Sequence, residues 1–558
     1  MRKFSGSLKA FLFAVLRRKA PTWIAALALL FAVPLFAAPV SPELAAKIDQ
    51  LFARWNHPNT PGVIVAIARN GETIYSRGYG MANLEHGIPL TPATITESGS
   101  VAKQFTAAAV VLLAQRGQLS LEDPVRKYLP ELSADLACKI TVRMLLNHTS
   151  GLRDIHGLND LLVRPSYTAM HDNAEVLRIM SRQKQLNFEP GSEYLYCNAA
   201  YVLASIIVQR ASGQSFGTFC EEHIFRPRGM SHTHWREDFS ALILGRATGY
   251  KLLGSANYGV DAPYSNIIGN GGLLFTVEDL LKWNAGLDET SGEWGMVART
   301  LQTPSRLNNG RTIDYGLGLV IDDFAGLREV SHGGSTSGYK TFLARIPERQ
   351  LSFALLGNAA EFNPTPVAQE LVRLVLDLPT AANPAGISIP DAATKTFAGL
   401  YHCVLTDDLM TLTVTDGKLR LRSTVLVPTA PGTFVSASEG TTFVFTESSP
   451  RRLTVTTRNG TADYSAVTAA HPSTTTLAEY AGVYRSEELE VADTVSVNGG
   501  HLVVERWPRV PVEAKPTMAD GFWFGPEWHA TFTRDSNGAV NGYELTNGRC
   551  RRVRFTRL

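Results

Sequence analysis

The sequence predicts an α+β domain, an antiparallel sheet with a helical region beside it, followed by two all-β barrel-like domains. Three observations carry this expectation. Hairpin patterns stand at both ends of residues 41–378 with helical stretches between them, the texture changes after a Pro/Ala-rich linker at 379–395, and the remainder repeats itself. A chain of 558 residues exceeds what one compact core accommodates, so two or three domains are expected.

The first segment, residues 1–38, reads as an export signal. Arg2, Lys3, Lys9, Arg17, Arg18 and Lys19 precede an apolar run from Trp23 to Ala38, the charged and apolar regions of such a leader. The mature protein is therefore expected in a periplasm or outside the cell. Left uncleaved, the segment becomes an N-terminal anchor, although the run is short for a span and holds Pro34.

Within 41–378, Gly62–Gly80 alternates around Asn70-Gly71, a strong hairpin signal, and Phe342–Asn358 forms a second hairpin turning near Pro347. Helical patterns lie between, and one follows at Val367–Leu378. Hairpins from both sequence ends predict one sheet assembled from the two ends. Beyond the linker, "FAGLY" (Phe397–Tyr401) recurs as "YAGVY" (Tyr480–Tyr484), and the turns at Asp416-Gly417 and Asn459-Gly460 recur at Asn498-Gly499 and Asn537-Gly538. Two similar β-domains, 396–468 and 478–558, follow, and closing each into a barrel removes exposed strand edges.

Composition excludes some functions. A formal net charge of +2 does not suit nucleic acid or an acidic membrane surface. The basic finish, Arg549 to Arg557, reads as a solvated strand face. Cys138, Cys197, Cys220, Cys403 and Cys550 have no paired spacing and are expected as buried thiols. His232-Thr233-His234 has no carboxylate or cysteine at ligand spacing, so neither a metal nor another cofactor is expected.

Chemistry enters at "ESGSVAKQFT", Glu97 to Thr106. Ser100 and Lys103 lie three residues apart at the start of a stretch, Val101 to Gln115, that is apolar on nearly every face, with Lys103 its only charge. Three-residue spacing puts both side chains on one helix face. Desolvation lowers an ammonium pKa toward that of a general base. Two readings stay open on this stretch alone, an activated nucleophile or a capping serine with a lysine reaching to solvent. The same Ser-x-x-Lys pattern occurs at Ser181–Lys184 and Ser337–Lys340.

An acyl-transfer site also needs a proton carrier and donors for an oxyanion. Tyr196-Cys197-Asn198 follows a Pro-Gly turn and opens an apolar helix, and His332-Gly333-Gly334-Ser335 suits a strand lining a cleft. Tyr264-Ser265-Asn266 is a weaker Tyr-x-Asn. Gly213-Gln214-Ser215-Phe216-Gly217 matches a nucleophile elbow, but what precedes it has helical period, so Gly213 reads as a helix stop and Ser215 as the next N-cap.

Taken in order, Ser100-Val101-Ala102-Lys103, Tyr196-Cys197-Asn198 and His332-Gly333-Gly334 resemble the three motifs of the penicillin-recognising serine hydrolases, in the branch related to class C β-lactamases. "LLNHTSGL" (Leu145–Leu152), "GNGGLLFTVEDL" (Gly269–Leu280) and "YGLGL" (Tyr315–Leu319) fit the same pattern. Added barrels resemble the D-aminopeptidase architecture within that family.

The resemblance implies Ser100 as acylated nucleophile, Lys103 or Tyr196 as base, Tyr196 as proton relay, and Asn198 as substrate ligand. It also implies His332 in place of the lactamase lysine, Gly334 beside it, and the backbone N–H groups of Ser100 and Ser335 as the oxyanion hole. The expected function is an acyl-enzyme hydrolase of small amides, peptides or esters, best read as D-aminopeptidase-like. β-Lactamase, esterase and a non-catalytic binding protein are the alternatives. Expected partners are a small-molecule or short-peptide substrate and, among assemblies, a second copy in a homodimer.

Two departures qualify this expectation. A histidine at 332 is mostly uncharged at neutral pH, which disfavours a substrate carboxylate there. D-Aminopeptidases are understood to send a loop from the last barrel into the active site to hold the substrate amine, and the turn read as its counterpart, Phe524-Gly525-Pro526-Glu527, is short.

Overall fold

A computed structural model describes residues 38–162, 171–255, 257–379, 386–436, 440–458, 460–507 and 509–558. The expected signal at 1–37 and Asn459 of one expected turn lie outside the described residues, as does most of the Pro/Ala-rich part of the linker. Among the described residues no helix is long and apolar enough to cross a membrane.

The first domain holds a six-stranded antiparallel sheet in the order Val320–Phe324, Leu327–Thr336, Tyr339–Ile346, Leu351–Gly357, Val63–Arg69, Glu72–Tyr79. The two sequence ends therefore meet in mid-sheet, where Val63 pairs with Gly357 and Arg69 with Leu351. Asn70 and Gly71 both have positive φ, 54° and 78°, the backbone that a two-residue hairpin matching strand twist requires. The second hairpin turns through Pro347–Arg349. The helix read at Val367–Leu378 runs from Pro364 to Leu376.

Beside the sheet, the helix Lys103–Gln115 is buried from Lys103 through Leu113. It packs with the helix Asn198–Ser212 in one continuous core, as its all-round apolar sequence demands. Gly117, at φ 70°, ends it.

Two closed eight-stranded barrels follow, spanning Gly399–Val467 and Gly482–Arg557. Short helices, Asp391–Lys395 and Thr474–Glu479, lead into them. The first of these occupies the end of the stretch expected to be linker. Among the described residues, Cys197, Cys220, Cys403 and Cys550 are buried free thiols and Cys138 is exposed.

One buried anchor of the second barrel on the first domain is an arginine. Arg153, almost fully buried, donates to Glu488 Oε2 (2.5 Å), Gln183 Oε1 (3.1 Å), and the carbonyls of Arg551 (3.1 Å) and Arg552 (2.9 Å). Glu488 completes the joint by accepting from Lys184 N (2.9 Å). A buried guanidinium is tolerated when its donors are met in this way.

Candidate active site

Ser100 sits in a tight turn, Gly99–Ala102, that runs straight into the helix headed by Lys103. Gly99 has φ 49°, and a Cβ there would stand 2.4 Å from Ser335 N; a Cβ on Gly334 would stand 2.0 Å from Ser98 O. Backbone thus lies directly on backbone, and only glycines permit it. That contact brings the N–H groups of Ser100 and Ser335 to the same cleft, the arrangement an oxyanion needs.

Lys103 is fully buried. Its Nζ lies 3.0 Å from Ser100 Oγ, 2.8 Å from Asn198 Oδ1 and 2.8 Å from the Asn270 carbonyl. Burial pulls its pKa down to about 7, against the opposing pull of the Asp154 carboxylate. A neutral amine has two hydrogens and one lone pair. Asn198 Oδ1 and Asn270 O are acceptors only, so they take the hydrogens and leave the lone pair for the Ser100 hydroxyl.

Tyr196 shares a hydrogen bond with Ser100, and burial drives its pKa far above the usual phenol range. It stays a phenol, able to donate and pass on a proton. Its ring stands 4.9 Å from Lys103 Nζ and 4.2 Å from the His148 ring. Asn198 is held from behind by Asp154, whose Oδ2 accepts from Asn198 N (2.5 Å) and Nδ2 (2.9 Å). This fixes the amide orientation, so Oδ1 has to face Lys103.

His332 lies on the strand Leu327–Thr336 and lines the cleft that holds Ser100. Cys197 N donates to His148 Nδ1 (3.1 Å), which leaves the neutral His148 proton on Nε2, facing Tyr315 Oη (3.2 Å). Tyr315 in turn faces His332 Nε2 (3.0 Å), and His332 Nδ1 faces the Gly333 carbonyl (2.6 Å). The chain runs one way, His148 to Tyr315 to His332 to Gly333, with every proton assigned. Burial lowers the pKa of His332 to about 3 and that of His148 well below its usual value. Both ring nitrogens of His332 are thus occupied, on the strand that also carries Gly334 and Ser335.

The lookalikes separate cleanly. Ser215 caps Phe216–Cys220 by accepting from Thr218 N, and Gly213 is the left-handed stop of the helix before it. Ser181 donates to Arg178 O while Lys184 pairs with Glu487. Lys340 reaches back to Ser335 Oγ (2.5 Å) rather than to Ser337. Tyr264 is exposed, and Asn266 accepts from Phe239 N.

A cleft of about 1060 Å³ contains Ser100, Tyr196, Asn198, His332, Gly334 and Ser335. Two residues of this region were missed in the sequence. Asp154 lies just past the recognised "LLNHTSGL" stretch, and Arg549 belongs to the basic finish read as a strand face. Cys550–Arg557 is a strand, but Arg549 precedes it in a turn and lines the cleft. The Gly525-Pro526 turn is not among the cleft-lining residues.

A serine turn, a buried lysine on the following helix and an asparagine-headed second helix beside an antiparallel sheet define a serine hydrolase of the acyl-enzyme class. The sequence profile of the Beta-lactamase family matches residues 45–377, more than half of the chain, and the chain belongs to that family. It is 27% identical over 477 residues to a D-aminopeptidase of Gluconobacter oxydans (strain 621H), covering 82% of this chain and 86% of that one. It is 31% identical over 315 residues to penicillin-binding protein 4* of Bacillus subtilis (strain 168), covering 54% and 68%. Among solved structures, the octameric penicillin-binding protein homologue from Pyrococcus abyssi is 25% identical with a TM-score of 0.55, covering 75% of this chain and 99% of that one.

Proposed function

We propose that the protein is an exported serine amidase or peptidase, D-aminopeptidase-like, which cleaves short amides, peptides and esters through an acyl-enzyme on Ser100. The observation that carries this is the fully buried Lys103 amine, 3.0 Å from Ser100 Oγ, with its two other neighbours both acceptors. The likeness to the Gluconobacter D-aminopeptidase, which extends past the first domain, supports the substrate class.

In this reading neutral Lys103 takes the Ser100 proton as Oγ attacks the substrate carbonyl. The oxyanion is met by Ser100 N–H and Ser335 N–H. Tyr196 passes the proton on to the leaving nitrogen, and water then hydrolyses the ester formed on Ser100 in the reverse sense. Lys103 is the base rather than Tyr196, because burial lowers an amine pKa and raises a phenol pKa. Asn198 orients substrate and lysine, and His332 holds the oxyanion strand without taking part. The basic and apolar leader at 1–38 supports export.

Labelling with a fluorophosphonate tests the site. Ser100→Ala is expected to abolish it with the fold intact, and Lys103→Ala to slow turnover by ~10²–10⁴-fold. Labelling lost in Ser215→Ala but kept in Ser100→Ala would overturn the reading. Since Lys103 accepts a proton only when neutral, kcat/KM should rise with pH through about 7.

A further inference from the structure

The turn Asn547–Cys550 of the second barrel is clamped to the first domain by its backbone. Asp154 N and Asn187 Nδ2 donate to the Arg549 carbonyl at 3.3 and 2.9 Å, and Cys550 Sγ lies 3.3 Å from the Asp154 carbonyl. Asn547 Oδ1 accepts from both Arg549 N (2.9 Å) and Cys550 N (2.8 Å). A Cβ on Gly157 would stand 2.7 Å from Cys550 Sγ, so the helix Ile155–Leu161 meets this turn with no room to spare. The clamp is firm, yet the side chain it delivers makes none of these bonds. The Arg549 guanidinium lies exposed in the Ser100 cleft, 5.0 Å from the centre of the Tyr196 ring.

The other lysine and arginine groups at the cleft are already occupied. Lys103 has three polar neighbours. Arg236 is paired with buried Glu97. Lys340 is bonded to Ser335 Oγ and feels both Asp261 and Glu361. Among the described residues, Arg549 has neither a carboxylate at ion-pair distance nor an acceptor for its guanidinium. Five fixed donors, stacked on an aromatic face beside the proton relay, form a fork that matches a carboxylate or a phosphate, and of the two a short peptide offers the carboxylate.

We infer that the second barrel completes the substrate site, with Arg549 binding the free carboxylate of a short peptide on its leaving-group side, next to Tyr196. This rests on the acyl-enzyme reading of Ser100 and narrows it, since the preferred substrates are then short peptides with a free C-terminus. It also separates this cleft from one whose last-barrel loop holds an amine, because a guanidinium repels a cation. His332, being neutral, leaves this task to another residue.

The test measures how well D-alanylglycine and its C-terminal amide slow fluorophosphonate labelling of Ser100 in the full chain. In the unmodified protein the acid should protect at about 10–100-fold lower concentration than the amide, the range for losing a hydrogen-bonded charge. Arg549→Ala should erase that gap by weakening the acid alone, Arg549→Lys should keep part of it, and Lys340→Ala should keep it whole. Equal protection by acid and amide in the unmodified protein would overturn the inference. So would a gap that survives Arg549→Ala, or one that disappears in Lys340→Ala. Failure of Ser100 to label at all would instead reject the hydrolase reading beneath it.

Discussion

The two barrels share a plan and differ in what they touch. Each closes with eight strands behind a short helix. Each carries the same tyrosine bond, from Tyr401 Oη to Phe397 O at 2.9 Å and from Tyr484 Oη to Tyr480 O at 2.7 Å. The first barrel keeps a core of its own around Leu419, Phe434 and Leu453. The core of the second, with Tyr484, Phe532 and Phe555, is continuous with that of the hydrolase domain. The first meets the hydrolase domain at the exposed pair Arg458–Asp322, whereas the second inserts Glu488 against buried Arg153 and places Arg549 in the cleft. A repeated barrel is thus a neutral scaffold, and a few residues on its turns decide whether it takes part in the site.

The largest effect that would break this comparison is Glu488→Ala. It strands the Arg153 charge in the interface, and removing one partner of a buried pair costs ~3–5 kcal/mol. Removing the equivalent contact of the first barrel, with Asp322→Ala, should change stability by ~0–1 kcal/mol, as exposed pairs do. Chemical denaturation of both variants checks the contrast. Equal losses would mean that the barrels dock alike.

Asp154→Asn comes next, because Asp154 joins the docked turn to Asn198. It replaces a carboxylate acceptor of two Asn198 bonds, and a lost charge-assisted bond of ~1.5–3 kcal/mol corresponds to roughly a 10–100-fold fall in kcat/KM. The pH profile carries a sign as well. Asp154 raises the Lys103 pKa, so without its charge Lys103 stays neutral to lower pH, and the acid limb of kcat/KM should move below about 7. A limb that moves upward would place the titrating base elsewhere.

The smallest effect sharpens the comparison by testing sameness. Tyr401→Phe and Tyr484→Phe each delete one hydroxyl-to-backbone bond, expected at ~0.5–1.5 kcal/mol. Similar shifts in denaturation midpoint for the two variants would show that the scaffolds are energetically equivalent and that the asymmetry lies in the turns.

Much of this was legible in the chain because the signals are local. The Asn70-Gly71 turn, the apolar helix after Ser100 and the "FAGLY"/"YAGVY" repeat each lie within one element, where period and turn chemistry act directly. Ser100 and Lys103 were readable as a pair because one helical turn brings them together. Tyr196 and Asn198 were readable as motif residues, although only folding brings Asn198 Oδ1 within 2.8 Å of Lys103.

What the sequence by itself determined is the order of domains, the serine–lysine pair and the glycines that bring the oxyanion strand onto the serine turn. Tertiary structure alone decided the charge state and company of each group. Lys103 falls to about 7 because the surrounding core removes water from it. His332 is neutral because burial removes water from its ring and nearby Lys103 opposes a second charge, and no local pattern in the sequence announces that. Asp154 and Arg549 belong to no local pattern, and the contact that joins their turns spans 396 residues of chain. Burial and hydrogen-bond direction are properties of the packed whole, which is why a basic tail could look like solvated surface until the second barrel brought its first arginine beside Tyr196.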